Sequence, residues 1–184
     1  MERFRWHAVL WSGILGFLVP TYFGYTLYVD RIPQNIATWG MVLALDALGL
    51  LLVIKDGNKK PYMQVGWVFA ALCIFVGAFF SENISAWGYT EAISVVMCIF
   101  AVVLWQTLGP KYGLIAYVAA MWISFVPLAM DYLKEPQPST VWLWQLTIVS
   151  CLLAIVGAEK RDFTNTFIPW GCIGLNAAMW YVCL

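Results

Sequence analysis

The chain has 184 residues, 62% of them hydrophobic and only 11% charged, with a mean hydropathy of +0.79. A soluble domain carries about a quarter of its residues as charges, so the composition excludes an ordinary water-soluble protein and points to the lipid bilayer as surrounding. Ten basic residues balance ten acidic ones, leaving no net positive surface to favour nucleic acid.

A hydrocarbon core about 30 Å thick takes roughly 20 helical residues to cross, and the polar breaks divide the chain into seven such runs. In chain order they are Ala8 to Tyr28, Asn35 to Ile54, Pro61 to Phe80, Trp87 to Leu108, Tyr112 to Tyr132, Ser139 to Val156, and Thr166 to Leu184. The first begins like a signal peptide, with Arg3 and Arg5 before an apolar run. That run is long and no small-residue cleavage pattern follows it, so it reads as a retained span. Basic residues in short loops favour the cytoplasmic side. Arg3, Arg5, Lys55, Lys59, Lys60, Lys111, Lys160 and Arg161 fall on the side of the N-terminus, against Arg31 and Lys134 opposite. The bias predicts a cytoplasmic N-terminus and a C-terminus on the other side.

The segment from Pro33 to Phe75 lies without gaps on Pro138 to Trp180, at an offset of 105 residues. Pro33 falls on Pro138, Trp39 on Trp144, Leu48 on Leu153, Lys55 on Lys160 and Gly66 on Gly171; after a two-residue slip upstream, Pro20 falls on Pro127 and Tyr25 on Tyr132. The offset covers four spans, an even number, so both copies share one membrane orientation. The expected fold is all-α and integral to the membrane. Residues 1–80 form one three-helix bundle, 81–110 hold a linker helix, and 111–184 form a parallel second bundle.

This three-one-three order, with Pro20 in Val19-Pro20-Thr21-Tyr22-Phe23 and Pro127 in Phe125-Val126-Pro127-Leu128-Ala129, resembles the superfamily of SWEET sugar transporters, PQ-loop transporters and PnuC-type vitamin transporters. In each half the proline helix is followed by a short polar loop and a helix bearing a tryptophan, Trp39 or Trp144. The resemblance implies a small-molecule substrate carried between two bundles.

Asp46 is the one carboxylate near the middle of a predicted span. A charge at that depth is costly, so such a residue faces a cavity or a partner, and it is the candidate site for taking up and releasing a proton. The bland alternative is a carboxyl that ties two helices together. Asn176 can offer two donors and an acceptor to a polar substrate, or bridge helices, and Gln145 and Gln106 could do so nearer the ends of their helices. Pro20 and Pro127 each remove a backbone hydrogen bond in mid-span and should kink their helices, which makes them candidate hinges. Trp39 and Trp144 recur inside the second helix of each bundle and are candidate substrate-stacking rings. Trp6, Trp11, Trp87 and Trp105 fall near span ends, where an interfacial belt accounts for them.

Glu91, Asp131 and Tyr132 lie close to boundaries and read as solvated or snorkelling, and His7 as interfacial. Cys73, Cys98, Cys151, Cys172 and Cys183 lie in apolar segments without CxxC spacing, which argues against a metal site or a disulfide framework. No cofactor motif is present.

The leading functional expectation is a small transporter of a polar or aromatic metabolite working by alternating access, with proton coupling through Asp46. One alternative is an intramembrane enzyme that protonates a lipophilic substrate in the manner of a terpene cyclase. Another is an accessory subunit without chemistry, and assembly as a homo-oligomer is compatible with all three. A transporter places Asp46, Trp144 and Asn176 around one cavity between the bundles. An enzyme places Asp46 in an apolar chamber open to lipid, and an accessory subunit leaves no cavity.

Overall fold

The computed structural model describes residues 2–30, 36–55, 57, 60–80, 88–158 and 162–184. The loop charges Arg31, Lys59, Lys160 and Arg161, the repeat position Pro33, and Trp87 lie outside the described residues, as does the side chain of Glu91. The chain is helical almost throughout: α1 (Glu2–Asp30), α2 (Ile36–Lys55), α3 (Tyr62–Phe79), α4 (Tyr89–Leu108), α5 (Pro110–Ser124), α6 (Val126–Lys134), α7 (Val141–Gly157) and α8 (Phe163–Cys183), with a 3-10 turn over Pro138–Thr140. Each predicted segment coincides with a helix, except that the fifth is split into α5 and α6. Among the described residues, five segments are long and apolar enough to cross a membrane: Arg3–Val29, Ile36–Lys55, Tyr62–Phe79, Lys111–Lys134 and Pro138–Gly157.

The outward faces suit that surrounding. Phe69, Leu72 and Val76 on α3, Val96, Ile99 and Val103 on α4, and Val149 and Leu152 on α7 are all exposed. Apolar surface on this scale is rare on soluble monomers, and a lipid-facing helix requires it.

The two prolines behave differently. Helix α1 runs unbroken through Pro20. The ring of a proline crowds the carbonyl of the residue four back, here Gly16, which carries no side chain to add to the crowding. At Pro127 the helix does break: Phe125, with φ −87° and ψ −8°, ends α5 and starts α6, and Pro127 sits in the first turn of α6, where a missing N–H is tolerated. Pro169 also lies inside an unbroken helix, α8.

Helix α1 packs along α3 and across to α7; α2 packs on α3 and α5; α8 packs on α7 and α5; and α4 lies against α5. The offset of 105 exchanges these pairs. It carries α1–α3 onto α5–α8, α2–α3 onto α7–α8, and α1–α7 onto α5–α2.

The α1–α3 contact is backbone to backbone. A Cβ added at Gly66 would lie 2.7 Å from the Gly13 carbonyl oxygen and 3.1 Å from the Phe17 nitrogen, and one at Gly24 would lie 2.9 Å from the Cys73 carbonyl carbon. Small residues at such positions let helices approach where no hydrophobic effect drives them together. A hydrogen bond then ties α7 to α1, the buried Ser150 hydroxyl donating to the Ser12 carbonyl at 2.8 Å. Another ties α5 to α8, Trp122 Nε1 donating to the Gly171 carbonyl at 3.1 Å.

Gly66→Ala is expected to destabilise the protein by about 1–3 kcal/mol through overpacking. Gly40→Ala, whose Cβ would meet only the edge of the Phe75 ring at 3.2 Å, is expected to cost less because a ring can shift. Thermal unfolding of both variants in detergent measures the difference, and equal losses would show that the α1–α3 seam is not the tight one.

Candidate functional site

Five helices and part of α1 surround one cleft with about 540 Å³ of empty space, some of it open to the outside. Its walls come in pairs related by the offset of 105. Trp39 and Val42 of α2 stand opposite Trp144 and Thr147 of α7, and Trp67, Ala70 and Ala71 of α3 opposite Cys172, Leu175 and Asn176 of α8. Pro20, Asp46, Ile74, Met121, Phe125 and Leu143 complete the wall. On α2 the spacing explains the exposure to the cleft, since Trp39, Val42 and Asp46 lie at i, i+3 and i+7 and share one helix face.

The structure therefore brings together Asp46, Trp39, Trp144, Asn176 and Pro20 around the cleft. It does not bring Gln145 there. The neighbouring Trp144 is buried and Gln145 points outward and is exposed, because adjacent residues on a helix lie about 100° apart. Gln106 is likewise exposed. Pro127 lies two residues beyond the wall residue Phe125 and acts on the cleft only through it. Tyr132, expected at a wet boundary, is buried. Asp131 is exposed and 4.0 Å from Lys134, and His7 is exposed against the Trp6 ring.

Aromatic packing closes one side of the cleft. The Phe125 ring meets Trp39 at 5.9 Å and 83°, and Trp144 at 6.0 Å and 80°. Both are edge-to-face contacts, the favoured geometry for such pairs. Phe23 extends the row behind Trp39 at 6.2 Å. A single ring thus wedges between the two repeat-related tryptophans, and it sits at the break that Pro127 makes in the fifth segment.

The polar side is sparse. Asp46 is only 7% exposed, and among the described residues no donor reaches its carboxyl. Asn176 donates from Nδ2 to the Cys172 carbonyl at 2.7 Å, which fixes its amide against α8. Its second N–H and its Oδ1 take no partner among the described residues. The Thr147 hydroxyl back-bonds to the Leu143 carbonyl at 2.7 Å, and the Trp67 Nε1 is buried without an acceptor among the described residues. Beside Asp46, the Tyr117 ring of α5 packs on Gly49, where a Cβ would meet its Cζ at 2.7 Å. The Tyr117 hydroxyl lies 3.9 Å from Met121 Sδ, as does Cys172 Sγ.

The described residues hold no group of three His, Cys, Asp or Glu side chains placed to bind a metal ion. The cleft can enclose a small solute, stack it on indole faces and offer it one carboxyl and one carboxamide. Comparison with protein families, with curated proteins and with solved structures finds no match for the chain.

Sequence reasoning missed Trp67, Phe125, Met121, Cys172 and Thr147. Three of these were within reach: Thr147 is the offset partner of Val42, which shares a helix face with Trp39 and Asp46, and Cys172, one turn before Asn176 on α8, has Trp67 as its offset partner. Phe125 carries no such signal, because the slip of two residues upstream sets it opposite Leu18.

Pro127→Ala should supply the backbone bond that the break now lacks and join α5 to α6. It is expected to raise the melting temperature and to slow amide hydrogen exchange across 123–130. Pro20→Ala, in a helix already continuous, is expected to change both much less. Equal responses would remove the distinction between the two prolines.

Proposed function

We propose that this protein is an integral membrane transporter that moves a small polar or aromatic metabolite by alternating access between two parallel three-helix bundles, with Asp46 as its proton site. The observation that carries this reading is the cleft itself, walled from opposite sides by residues 105 apart. A duplicated scaffold whose matching faces enclose one site is the arrangement that lets each half swing against the other around a fixed substrate.

In this reading α1–α3 and α5–α8 are the two bundles and α4 is the linker that keeps both the same way up. The N-terminus is cytoplasmic. The resemblance to SWEET, PQ-loop and PnuC-type transporters belongs to the same proposal, as does the hinge at Pro127, which is placed to swing Phe125 into or out of the gap between Trp39 and Trp144. The wedge closes the aromatic side in the present conformation. Release of Phe125 from one tryptophan opens a path along that side.

Spin labels test the motion without knowledge of the substrate. Leu51 and Val156 are exposed offset partners near one end of α2 and α7, and Tyr25 and Met130 are exposed near the other end of α1 and α6. Labels at each pair in reconstituted vesicles are expected to give two distance populations, and conditions that lengthen one pair should shorten the other. A single population at both ends would favour the accessory-subunit reading instead.

A further inference from the structure

A carboxyl that faces a cleft and takes neither a cation nor a hydrogen bond among the described residues leaves its charge for something else to balance. Among the described residues no Lys, Arg or His lines the cleft. The titratable groups near enough to Asp46 to feel its charge are Tyr117 of α5 and Cys172 of α8, and Cys151 of α7 and Cys98 of α4 lie near Tyr117 in turn; α3 presents Trp67, Ala70 and Ala71. None of these is a cation. An unpaired charge in so apolar a place is untenable, so the carboxyl must hold either a proton or a cationic ligand.

The rest of the cleft selects the second partner. Trp39, Trp67, Trp144 and Phe125 line it with aromatic surface, and aromatic faces attract ammonium groups, indole most strongly. Bulky, weakly hydrated ammonium ions lose little on entering such a box, whereas an anion would meet Asp46. We infer that the cleft binds a small organic ammonium ion, its charge on Asp46 and its alkyl groups against the tryptophans, in exchange for a proton. This rests on the transporter reading and names its substrate class. The step balances: the carboxylic acid gives its proton to water as the cation enters, and the carboxylate–ammonium pair carries no net charge, as the protonated empty site did. Because proton and cation compete for one group, neither can cross without the other returning, and the protein is a proton/organic-cation exchanger.

Binding is tested on the full chain in detergent, with quenching of tryptophan fluorescence as readout. The probes are tetramethylammonium, choline, and 3,3-dimethylbutan-1-ol, the uncharged carbon analogue of choline. The expected result is saturable binding of at least one ammonium, about tenfold or more tighter than the alcohol. One proton should be released per cation in weakly buffered solution. Affinity should fall by about tenfold per pH unit once the proton holds the site, as linkage of two ligands at one group requires. Asp46→Asn should abolish the preference for choline over the alcohol, and Trp144→Leu should narrow it by about fivefold. Val149→Ala, on the exposed outer face of α7 away from the cleft, should leave it unchanged and serves as the folded control. The inference is overturned if neither ammonium binds saturably, if choline and the alcohol bind alike, if Asp46→Asn keeps the preference for choline, or if binding to the unaltered chain or to Val149→Ala releases no proton. Uptake into vesicles is read separately. Binding with proton release but without uptake would leave this site assignment standing and defeat the transporter reading, whereas uptake of another solute without ammonium binding would do the reverse.

Discussion

In the bilayer that these long apolar helices suit, the constraint on which everything else rests is that the backbone has no water to satisfy its N–H and C=O groups. Each segment must bond within itself, and helices do so. Once the backbone is spent in this way, only side chains can hold the helices together or do chemistry, and the polar ones must turn inward. Asp46, Asn176 and Thr147 do turn inward, while Phe69, Val96 and Leu152 face out. With lipid as apolar as leucine, inward turning alone does not bind helices. The α1–α3 seam is made instead by glycines that bring backbones into contact, at Gly13 with Gly66 and at Gly24 with Cys73.

Much of the fold was legible because helix length and the position of polar breaks are direct consequences of that constraint. Tyr62–Phe79 and Ile36–Lys55 differ by only a residue or two from the segments read from hydropathy. The failures have a local physical cause. A proline states which hydrogen bond is lost but not whether neighbours will absorb the loss, so Pro20 and Pro127 look alike in sequence and differ in structure. The difference lies in packing at the break, where Phe125 is pinned between two indoles. Tyr132 was misplaced for the mirror reason, since nearness to a span end does not fix which face of the helix a residue occupies.

The site was half legible. Rarity exposed Asp46 and recurrence exposed Trp39 and Trp144, because depth in a span and repetition are properties of the sequence. Gln145 was misassigned because a polar side chain near the end of a helix can reach water, and on the outward face it does so at no cost. The offset of 105 carried more information than identities alone revealed. Its use is positional: Val42 with Thr147, Ala71 with Asn176 and Trp67 with Cys172 share no chemistry, yet each pair faces the cleft.

That separation of position from identity suggests how a symmetric scaffold holds an asymmetric ligand. Were both copies identical at the wall, two carboxyls would face each other across the cleft, and two like charges could not both stay ionised there. Instead Cys151 stands where Asp46 would recur, a small apolar group behind the wall. In the transporter we propose, one carboxyl would fix the site of charge, one carboxamide on the other half an orientation, and the retained tryptophans would supply surface indifferent to which end of the ligand they meet. The hinge is divided in the same way, since the proline is kept in both halves but the ring that it positions, Phe125, is present in only one. In that proposal, a motion that uncovers the cleft along one path needs a wedge on that path alone, and the break at Pro127 beside the continuity at Pro20 fits such a demand.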